Sequence, residues 1–376
     1  MANRVRADAA QTEADRTMTA DVLRELGEIG LFEMLRPAGT VGPQRDPLVH
    51  FADIRAISAA CPSTGWAAAL LGVASWHVAM LGSSVCDEVW GSAPNALVTA
   101  SYAPAGRLES TGGGYVLSGE WPYVPAAELS SWVCLCALTI DGSGAAADVA
   151  MVAVPISDCV VGRHGNTTGL LGAGARRVAV RDVFVPAHRV RLAGRPDPLL
   201  DEPGLASVYR VPFTILYSMA ACMPVLGAVQ GAFDYHLTRA SERAALSYGG
   251  KGSAENQFAQ VAVARGLAEL DASVLQLERD LREAIACAKA GTPIPVEVRL
   301  RARRDQVRAT ERSVEAMDVL MKASAGHGVR HGGVIERAWR DVHTAAAHMV
   351  NNAEPALRMY GRWAYGQEVG DDMVML

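Results

Sequence analysis

The feature that most constrains the fold is a hydrophobic period that changes twice along the chain. Up to about residue 93, apolar residues recur at helical spacing, as in residues 21–35, 51–60 and 65–81. From about residue 95 to 192 the period is two, and from about 205 it is helical again. The sequence therefore predicts an α+β chain with an N-terminal helical domain at 1–94, a middle β domain at 95–200 and a C-terminal helical bundle at 201–376.

The middle region has the pattern of a small antiparallel barrel or sandwich. Gly112-Gly113-Gly114 and Asp141-Gly142-Ser143-Gly144 are typical of tight turns between strands. Residues 195–203, which are rich in Pro and Asp, are predicted to form the linker to the last region. The strand candidates are residues 97–102, 115–123, 132–139, 149–155 and 177–185.

The last region is predicted to be a four-helix bundle. Small residues at Ala220, Gly227 and Gly231 allow helices to approach closely. Disorder is expected only at the two ends of the chain, residues 1–15 and 367–376. The predicted helices are residues 212–239, 255–290, 295–325 and 335–351.

Composition excludes several classes of function. With a net charge of -5 and a pI near 6.0, the chain has no excess of positive charge that would attract nucleic acid. The seven cysteines are scattered, and Cys134 with Cys136 lacks a second Cys/His pair at zinc spacing, so we expect core residues and no metal site. No signal pattern opens the chain, and residues 66–81 are too short to span a bilayer, so we expect a cytoplasmic protein.

Four stretches, taken together and in order, resemble the acyl-CoA dehydrogenase superfamily. Within it they are similar to the group D two-component flavin monooxygenases that hydroxylate 4-hydroxyphenylacetate and secosteroid phenols. The stretches are Ala60-Cys-Pro-Ser-Thr-Gly-Trp66, Ser101-Tyr-Ala-Pro-Ala-Gly106 with Gly113-Gly-Tyr-Val-Leu-Ser-Gly-Glu-Trp121, Gly169-Leu-Leu-Gly-Ala-Gly174 leading into Val180-Arg-Asp-Val-Phe-Val-Pro-Ala-His-Arg189, and Arg337-Ala-Trp-Arg-Asp341 with His348.

This resemblance implies the acyl-CoA dehydrogenase-like fold and a homotetramer. It also implies reduced FMN or FAD, which a separate flavin reductase would supply by diffusion. The reaction would be hydroxylation of an aromatic or polyketide-like small molecule through a C4a-hydroperoxyflavin. The protein would contribute orientation, electrostatics and exclusion of water, while the flavin contributes the redox chemistry.

The resemblance nominates His348 as the leading catalytic residue, and His77, which follows Trp76 on a predicted helix, is the second possible pocket histidine. On the helix predicted for residues 335–351, a neutral His348 imidazole could accept a phenolic proton or hydrogen-bond the oxygenated flavin. The alternatives are a polar surface residue at 348 and an ordinary core histidine at 77. Trp66 matches a tryptophan near flavin and substrate, and it could equally be part of the core.

The remaining candidates concern the cofactor and the helix packing. Arg243 resembles the arginine that reaches the flavin phosphate, often across a subunit interface, and Arg239 is the competing choice. Gly326 lies in a Gly-rich turn where the backbone could approach the cofactor. Asp341 beside Arg340 is expected to form a buried ion pair that fixes helix packing.

Several positions depart from the family pattern. In the stretch that contains Tyr123, Pro125 stands where a serine can meet the flavin, and proline offers neither a hydroxyl nor a backbone N–H. Gly165 stands near the position of a tryptophan, and polar residues are replaced at Leu171, Ala173 and Ala175. These departures predict weak flavin binding, a shifted flavin, or a site that is converted to other chemistry and has lost the flavin.

Two alternatives to aromatic hydroxylation therefore remain open from the sequence. One is a flavin-free family member that uses the same pocket for acid–base cyclisation, dehydration or isomerisation. The other is N-oxygenation of an amino sugar by the same flavin chemistry.

Overall fold

The computed structural model describes residues 1–33, 35–37, 45–140, 145–193, 205–246 and 257–369, except the side chains of 242–246, 258, 325 and 327. The predicted turn at 141–144 and linker at 195–203 lie outside the described residues. Five helices come first, namely α1 (Ala2–Asp15), α2 (Ala20–Glu28), α3 (Pro47–Ala60), α4 (Pro62–Ala79) and α5 (Ser83–Cys86). The strands are β1 (Val98–Thr111), β2 (Gly114–Val124), β3 (Trp132–Ile140), β4 (Ala146–Pro155), β5 (Val160–His164), β6 (Arg176–Pro186) and β7 (Val190–Leu192). The last helices are α6 (Phe213–Leu246), α7 (Gln257–Ala290), α8 (Val296–Ala323), α9 (Ala325–Gly328), α10 (Val334–Ala346) and α11 (Ala353–Ala364).

The order of helices, sheet and helices confirms the predicted acyl-CoA dehydrogenase-like architecture, with one correction at the N-terminus. Residues 1–15, expected to be disordered, form α1, whose Val5, Ala9 and Thr12 are buried. The helix predicted for 21–35 ends at Glu28, because Gly30 adopts a positive φ of 68° before a short 3₁₀ turn.

The middle region is one seven-stranded sheet with the strand order β5-β6-β2-β1-β3-β4-β7. The β1–β2 hairpin turns at Gly113, where φ is 80°. β3 then pairs with β1 instead of β2, so the β1–β3 pair is parallel and the expectation of a purely antiparallel sheet is wrong at this pair. The short strands β5 and β7 were missed because three to five residues carry too little alternation.

Trp121 is the central side chain of the sheet core. It is fully buried, and its Nε1 donates to the carbonyl oxygens of Ala103 and Cys136 at 3.1 and 3.0 Å. A Cβ at Gly106 would lie 2.6 Å from Cζ2 of this ring, and one at Gly119 would lie 2.8 Å from Cη2. The two glycines therefore make the space that the indole fills.

The C-terminal bundle consists of α6, α7, α8 and α10, and α6 also packs against α3 and α4. Helix α6 is long and apolar enough to cross a membrane, but most of it is buried inside the protein. The largest hydrophobic cluster joins residues of the N-terminal and C-terminal helices. The two helical regions therefore share one core, with the sheet against it.

The helix predicted for residues 335–351 is shorter than expected. Helix α10 ends at Ala346, and His348 has an extended backbone before a 3₁₀ turn, Met349–Asn351. The His348 side chain accepts a hydrogen bond from the backbone N–H of Val350, so it caps this turn. His348 is consequently held at a break in the helix and not on its face.

Because α6 packs closely on α3, one methyl group added between the two helices should strongly reduce the stability of the protein. A Cβ at Gly231 would lie 2.1 Å from the carbonyl oxygen of Ala59, so we expect Gly231→Ala to reduce the free energy of unfolding by about 1–3 kcal/mol. Denaturant unfolding measures this. The control is Gly361→Ala in α11, where no neighbour lies within 4 Å and the change should stabilise by up to ~1 kcal/mol. Equal effects of the two substitutions would contradict the packing described here.

Candidate functional site

A cavity of about 390 Å³ lies where the sheet meets both helical regions. Its volume is within the range of small-molecule binding sites. Trp66 comes from the first turn of α4, Tyr217 from α6, and His348 from the segment after α10. Strand β1, the end of β2 and the segment of residues 167–175 complete the wall. All three regions of the chain therefore contribute to one chamber.

Trp66 and His348 form one side of this cavity. Their rings meet edge to face, with centroids 5.7 Å apart and an interplanar angle of 64°. His348 Nδ1 accepts from the Val350 N–H at 3.3 Å, and Nε2 lies 3.5 Å from Tyr217 Oη. Burial lowers the pKa of His348 to about 4, so the imidazole is neutral near pH 7.

The segment of residues 167–175 forms another part of the cavity wall, and Asp341 of α10 holds it in place. Leu170 has a positive φ of 54°, and its N–H donates to Asp341 Oδ1 at 2.5 Å. Ser63 Oγ donates to the other carboxylate oxygen at 3.4 Å. A Cβ at Gly169 would lie 2.3 Å from the carbonyl oxygen of Arg340, so the segment lies directly on the backbone of α10.

Arg340 fixes the same segment through different partners. It donates to the carbonyl oxygen of Thr168 at 3.1 Å and pairs with Glu13 of α1 and Glu336 of α10, each at 2.6 Å. The expected ion pair between Arg340 and its neighbour Asp341 is therefore replaced by two separate sets of contacts. Adjacent helical residues point in directions about 100° apart, which explains why they do not pair with each other.

Tyr123 and Pro125 line the cavity at the end of β2. The carbonyl oxygen of Pro125 accepts from the hydroxyl of Thr99. The Tyr123 side chain lies beside Gly165, where a Cβ would be 2.9 Å from Cδ1 of the ring. The tyrosine ring thus occupies the space that a larger residue at position 165 would need, and this accounts for one departure from the family pattern.

His77 lies behind the cavity wall. Its ring is buried against Phe213 and Tyr102, at centroid distances of 4.4 and 5.4 Å, and Tyr102 is the residue that lines the cavity. Burial lowers the pKa of His77 to about 3. Neither its ring nitrogens nor Tyr102 Oη has a hydrogen-bond partner among the described residues.

Gly326 and Arg239 are separate from this group. Gly326 in α9 is exposed, with open space beside it, and it does not line the cavity. The side chain of Arg243 lies outside the described residues, and Arg239 lies on an exposed part of α6. The structure therefore brings together Trp66, Tyr123, Pro125 and His348.

Sequence reasoning missed Tyr217 and the role of Asp341. Tyr217 sits in an apolar helical run, and hydrophobic period alone does not reveal which side chain of a buried helix faces a cavity. Tyr102 also lines the cavity, and it could be found from the sequence because it lies within the second motif, directly after Ser101.

The cavity fits the ring system of a flavin. The aromatic side chains of Trp66, Tyr102 and Tyr123 line it, and the hydroxyl of Tyr217 and Nε2 of His348 supply polar atoms at one end. A flat, largely apolar ring with a few polar edge atoms matches such a lining. None of the described lining residues is Lys or Arg, so the described part of the chamber provides no cation for a phosphate.

The buried position of Asp341 predicts a specific pH dependence of stability. Burial raises its pKa from 3.8 to about 7, so the stability that it contributes is full below about pH 4 and is lost as the pH rises through 7. Asp341→Asn keeps an acceptor for the Leu170 N–H and cannot ionise. Relative to the wild type, the variant should gain about 2–3 kcal/mol in free energy of unfolding between pH 5 and pH 7.

Denaturant unfolding at the two pH values measures this difference. Asp271→Asn, at an exposed position on α7, is the matched control and should change stability by less than ~0.5 kcal/mol at either pH. A pH-independent difference between Asp341→Asn and the wild type would show that Asp341 does not titrate as its burial requires.

Comparison with known proteins finds flavin-dependent relatives over nearly the whole chain. The profile of the family "Acyl-CoA dehydrogenase, C-terminal domain" matches residues 219–353. The chain is 34% identical to the flavin-dependent monooxygenase, oxygenase subunit HsaA, of Rhodococcus jostii (strain RHA1), over 98% of this chain and 97% of the relative. It is 32% identical to the FADH(2)-dependent resorcinol hydroxylase, oxygenase component, of Rhizobium sp. (strain MTP-10005), over 98% and 93%.

A solved structure agrees with these relatives. XiaF from Streptomyces sp., in complex with FADH2 and glycerol, superposes with a TM-score of 0.90 at 26% identity, over 98% of this chain and 93% of XiaF. The chain thus belongs, as an oxygenase component, to the two-component flavin-dependent monooxygenases with the acyl-CoA dehydrogenase-like fold.

Proposed function

We propose that this protein hydroxylates a phenolic or related aromatic small molecule in the cavity between the sheet and the helices. The observation that carries the proposal is the meeting of Trp66, Tyr217 and His348 in one apolar chamber of a flavin-dependent monooxygenase. Similar relatives are named as hydroxylases of aromatic compounds, and resorcinol, a phenol, is one of the named substrates. Flat aromatic walls favour a flat substrate over an amino sugar.

Reduced flavin, supplied by a separate reductase, provides the electrons with which one atom of dioxygen enters the substrate and the other leaves as water. The chain's own residues do the remaining work. Trp66 and Tyr123 would hold flat rings by stacking, and Tyr217 with His348 would orient a polar group of the substrate. The wall held by Asp341 would help to exclude water from the reacting atoms.

The flavin contacts within this chain are fewer than the family pattern provides. Pro125, Ala173 and Ala175 line the cavity with apolar atoms where polar side chains are expected. Weak binding is compatible with the proposed reaction, because the flavin arrives reduced and leaves after each turnover. The alternative of a flavin-free acid–base enzyme rests on these same residues, and the relatives support the flavin-dependent reaction.

We further propose a homotetramer in which Arg243 of a neighbouring subunit reaches the flavin phosphate. The lining residues of one chain include no described Lys or Arg, so a cation from another chain would complete the site. Exposed apolar residues on α7, Val261 and Leu275, and Val329 after α9 support an assembly with further interfaces.

Binding of reduced flavin tests the proposed function directly. Anaerobic titration with photoreduced FMN or FAD should quench tryptophan fluorescence, because Trp66 lines the cavity. Trp66→Phe should keep binding, measured by ultrafiltration, and lose part of the quench. The control is Trp363→Phe, which removes a tryptophan of α11 outside the cavity. Bound flavin should quench a larger fraction of the tryptophan fluorescence in this variant than in Trp66→Phe. The proposal fails if neither flavin binds, or if added oxygen and a set of simple phenols give no hydroxylated product.

Restoring a donor at position 125 should strengthen flavin binding. Pro125→Ser adds a hydroxyl and a backbone N–H at the buried end of β2, and one added hydrogen bond corresponds to about fivefold in affinity. The matched control is Pro122→Ser, at an exposed position on the rim of the same cavity, which should change affinity less than twofold. Equilibrium dialysis with reduced flavin measures both, and an unchanged affinity of Pro125→Ser would place the flavin away from this residue.

A further inference from the structure

The two nitrogens of His348 have different partners, and this difference determines where the proton lies. Nδ1 accepts the Val350 N–H at 3.3 Å. An amide N–H needs a lone pair on its partner, so Nδ1 carries no proton in this arrangement. The neutral imidazole therefore carries its proton on Nε2.

Nε2 is the nitrogen that faces Tyr217, whose Oη lies 3.5 Å away. With the proton on Nε2, the imidazole donates and the phenol oxygen accepts. The Tyr217 O–H then remains available as a donor, because Oη has no second hydrogen-bond partner among the described residues. A separation of 3.5 Å is long for a hydrogen bond, so an acceptor oxygen of a ligand beside the pair can take both donors.

We propose that His348 and Tyr217 form a two-donor site that binds an acceptor oxygen of the substrate, a phenolate or a carbonyl, and that His348 does not remove a phenolic proton. The proposal rests on the proposed function, because it takes this cavity as the substrate site. A phenolic substrate binds as its phenolate, and its proton passes to solvent. The selectivity is for molecules with an acceptor oxygen at this end of a flat ring.

The surroundings favour this role. Burial lowers the pKa of His348 to about 4 and raises the pKa of Tyr217, so both side chains stay neutral donors near pH 7. Their neighbours are aromatic rings, namely Trp66 beside His348 and Phe213 and Tyr102 beside Tyr217. In such a setting of low polarity, hydrogen bonds to an anionic oxygen are strong.

The role of base would require a different arrangement. Nε2 would have to be unprotonated, so the proton would move to Nδ1 and face the Val350 N–H. Two donors would then oppose each other, and the cap of the Met349–Asn351 turn would be lost. The observed cap therefore selects the donor form.

The first experiment measures the tautomer in flavin-free protein. Nitrogen-15 NMR of protein labelled in the histidine ring should show His348 at pH 7 as a neutral imidazole with the proton on Nε2. Loss of its signals in His348→Gln assigns them. An Nδ1–H tautomer, or an imidazolium at pH 7, overturns the proposal.

The second experiment measures binding of 4-nitrophenol, whose phenolate absorbs visible light. The bound probe should be the phenolate, with an apparent pKa below that of the free probe. His348→Gln keeps a donor and should bind within about threefold of the wild type, whereas His348→Leu and Tyr217→Phe each remove one donor and should bind about tenfold more weakly. Tyr365→Phe, which removes an exposed phenol hydroxyl outside the cavity, is the control and should bind like the wild type.

Three results would contradict the two-donor site, namely equal weakening by His348→Gln and His348→Leu, binding of the probe as the neutral phenol, and no binding of the probe by the wild type. Failure of the proposed function is a different outcome. If the protein binds reduced flavin but His348 carries its proton on Nδ1, only this inference is wrong. If the protein binds neither reduced FMN nor reduced FAD, the proposed function is wrong, whereas the measured tautomer of His348 is unaffected.

Discussion

The hydrogen bond from the Leu170 N–H to Asp341 is the constraint on which the cavity depends. Leu170 sits in a left-handed backbone conformation that a leucine adopts only at a cost, so an external contact must hold it. Asp341 belongs to α10, and the segment after α10 carries His348. One buried carboxyl group thus ties the segment of residues 167–175 to the helix that leads into His348.

Helix α1 extends this constraint to the N-terminus. Glu13 pairs with Arg340, and a Cβ at Gly172 would lie 2.5 Å from Cγ2 of Thr12, so α1 packs directly on the cavity wall. A helix that the sequence suggested to be disordered therefore supports the site from outside. Because the two arginine–carboxylate pairs are partly buried, breaking one pair leaves charge without a partner and affects the wall itself.

Hydrophobic period predicted the architecture because it reports which face of each element is buried, and a core shared by two helical regions imposes that pattern strongly. Hydrophobic period failed where a local backbone conformation ends a helix or where a connection sets the strand pairing. Gly30 ends α2 early, α10 stops before His348, and β3 pairs with β1 through a connection that no periodic pattern encodes. The motifs contain Trp66 and His348, which line one cavity, whereas the position of Tyr217 and the contacts of Asp341 depend on long-range packing.

The same local break also changes what His348 can do. On the continuous part of α10, Nδ1 of His343 lies 2.8 Å from the carbonyl oxygen of Trp339, which can only accept, so there Nδ1 carries the proton. At the break, the backbone N–H of Val350 donates to Nδ1 of His348. The proton of the neutral ring therefore lies on Nε2, which acts as a donor. Burial alone would raise the pKa of a bound phenol, as it raises the pKa of Tyr217, so the two donors have to offset this cost. Hydrogen bonds to an oxygen that bears negative charge are stronger than those to a neutral phenol, and the two donors therefore favour the phenolate. The chain therefore needs no buried base to obtain an electron-rich substrate ring, because the selection of the phenolate on binding already provides it.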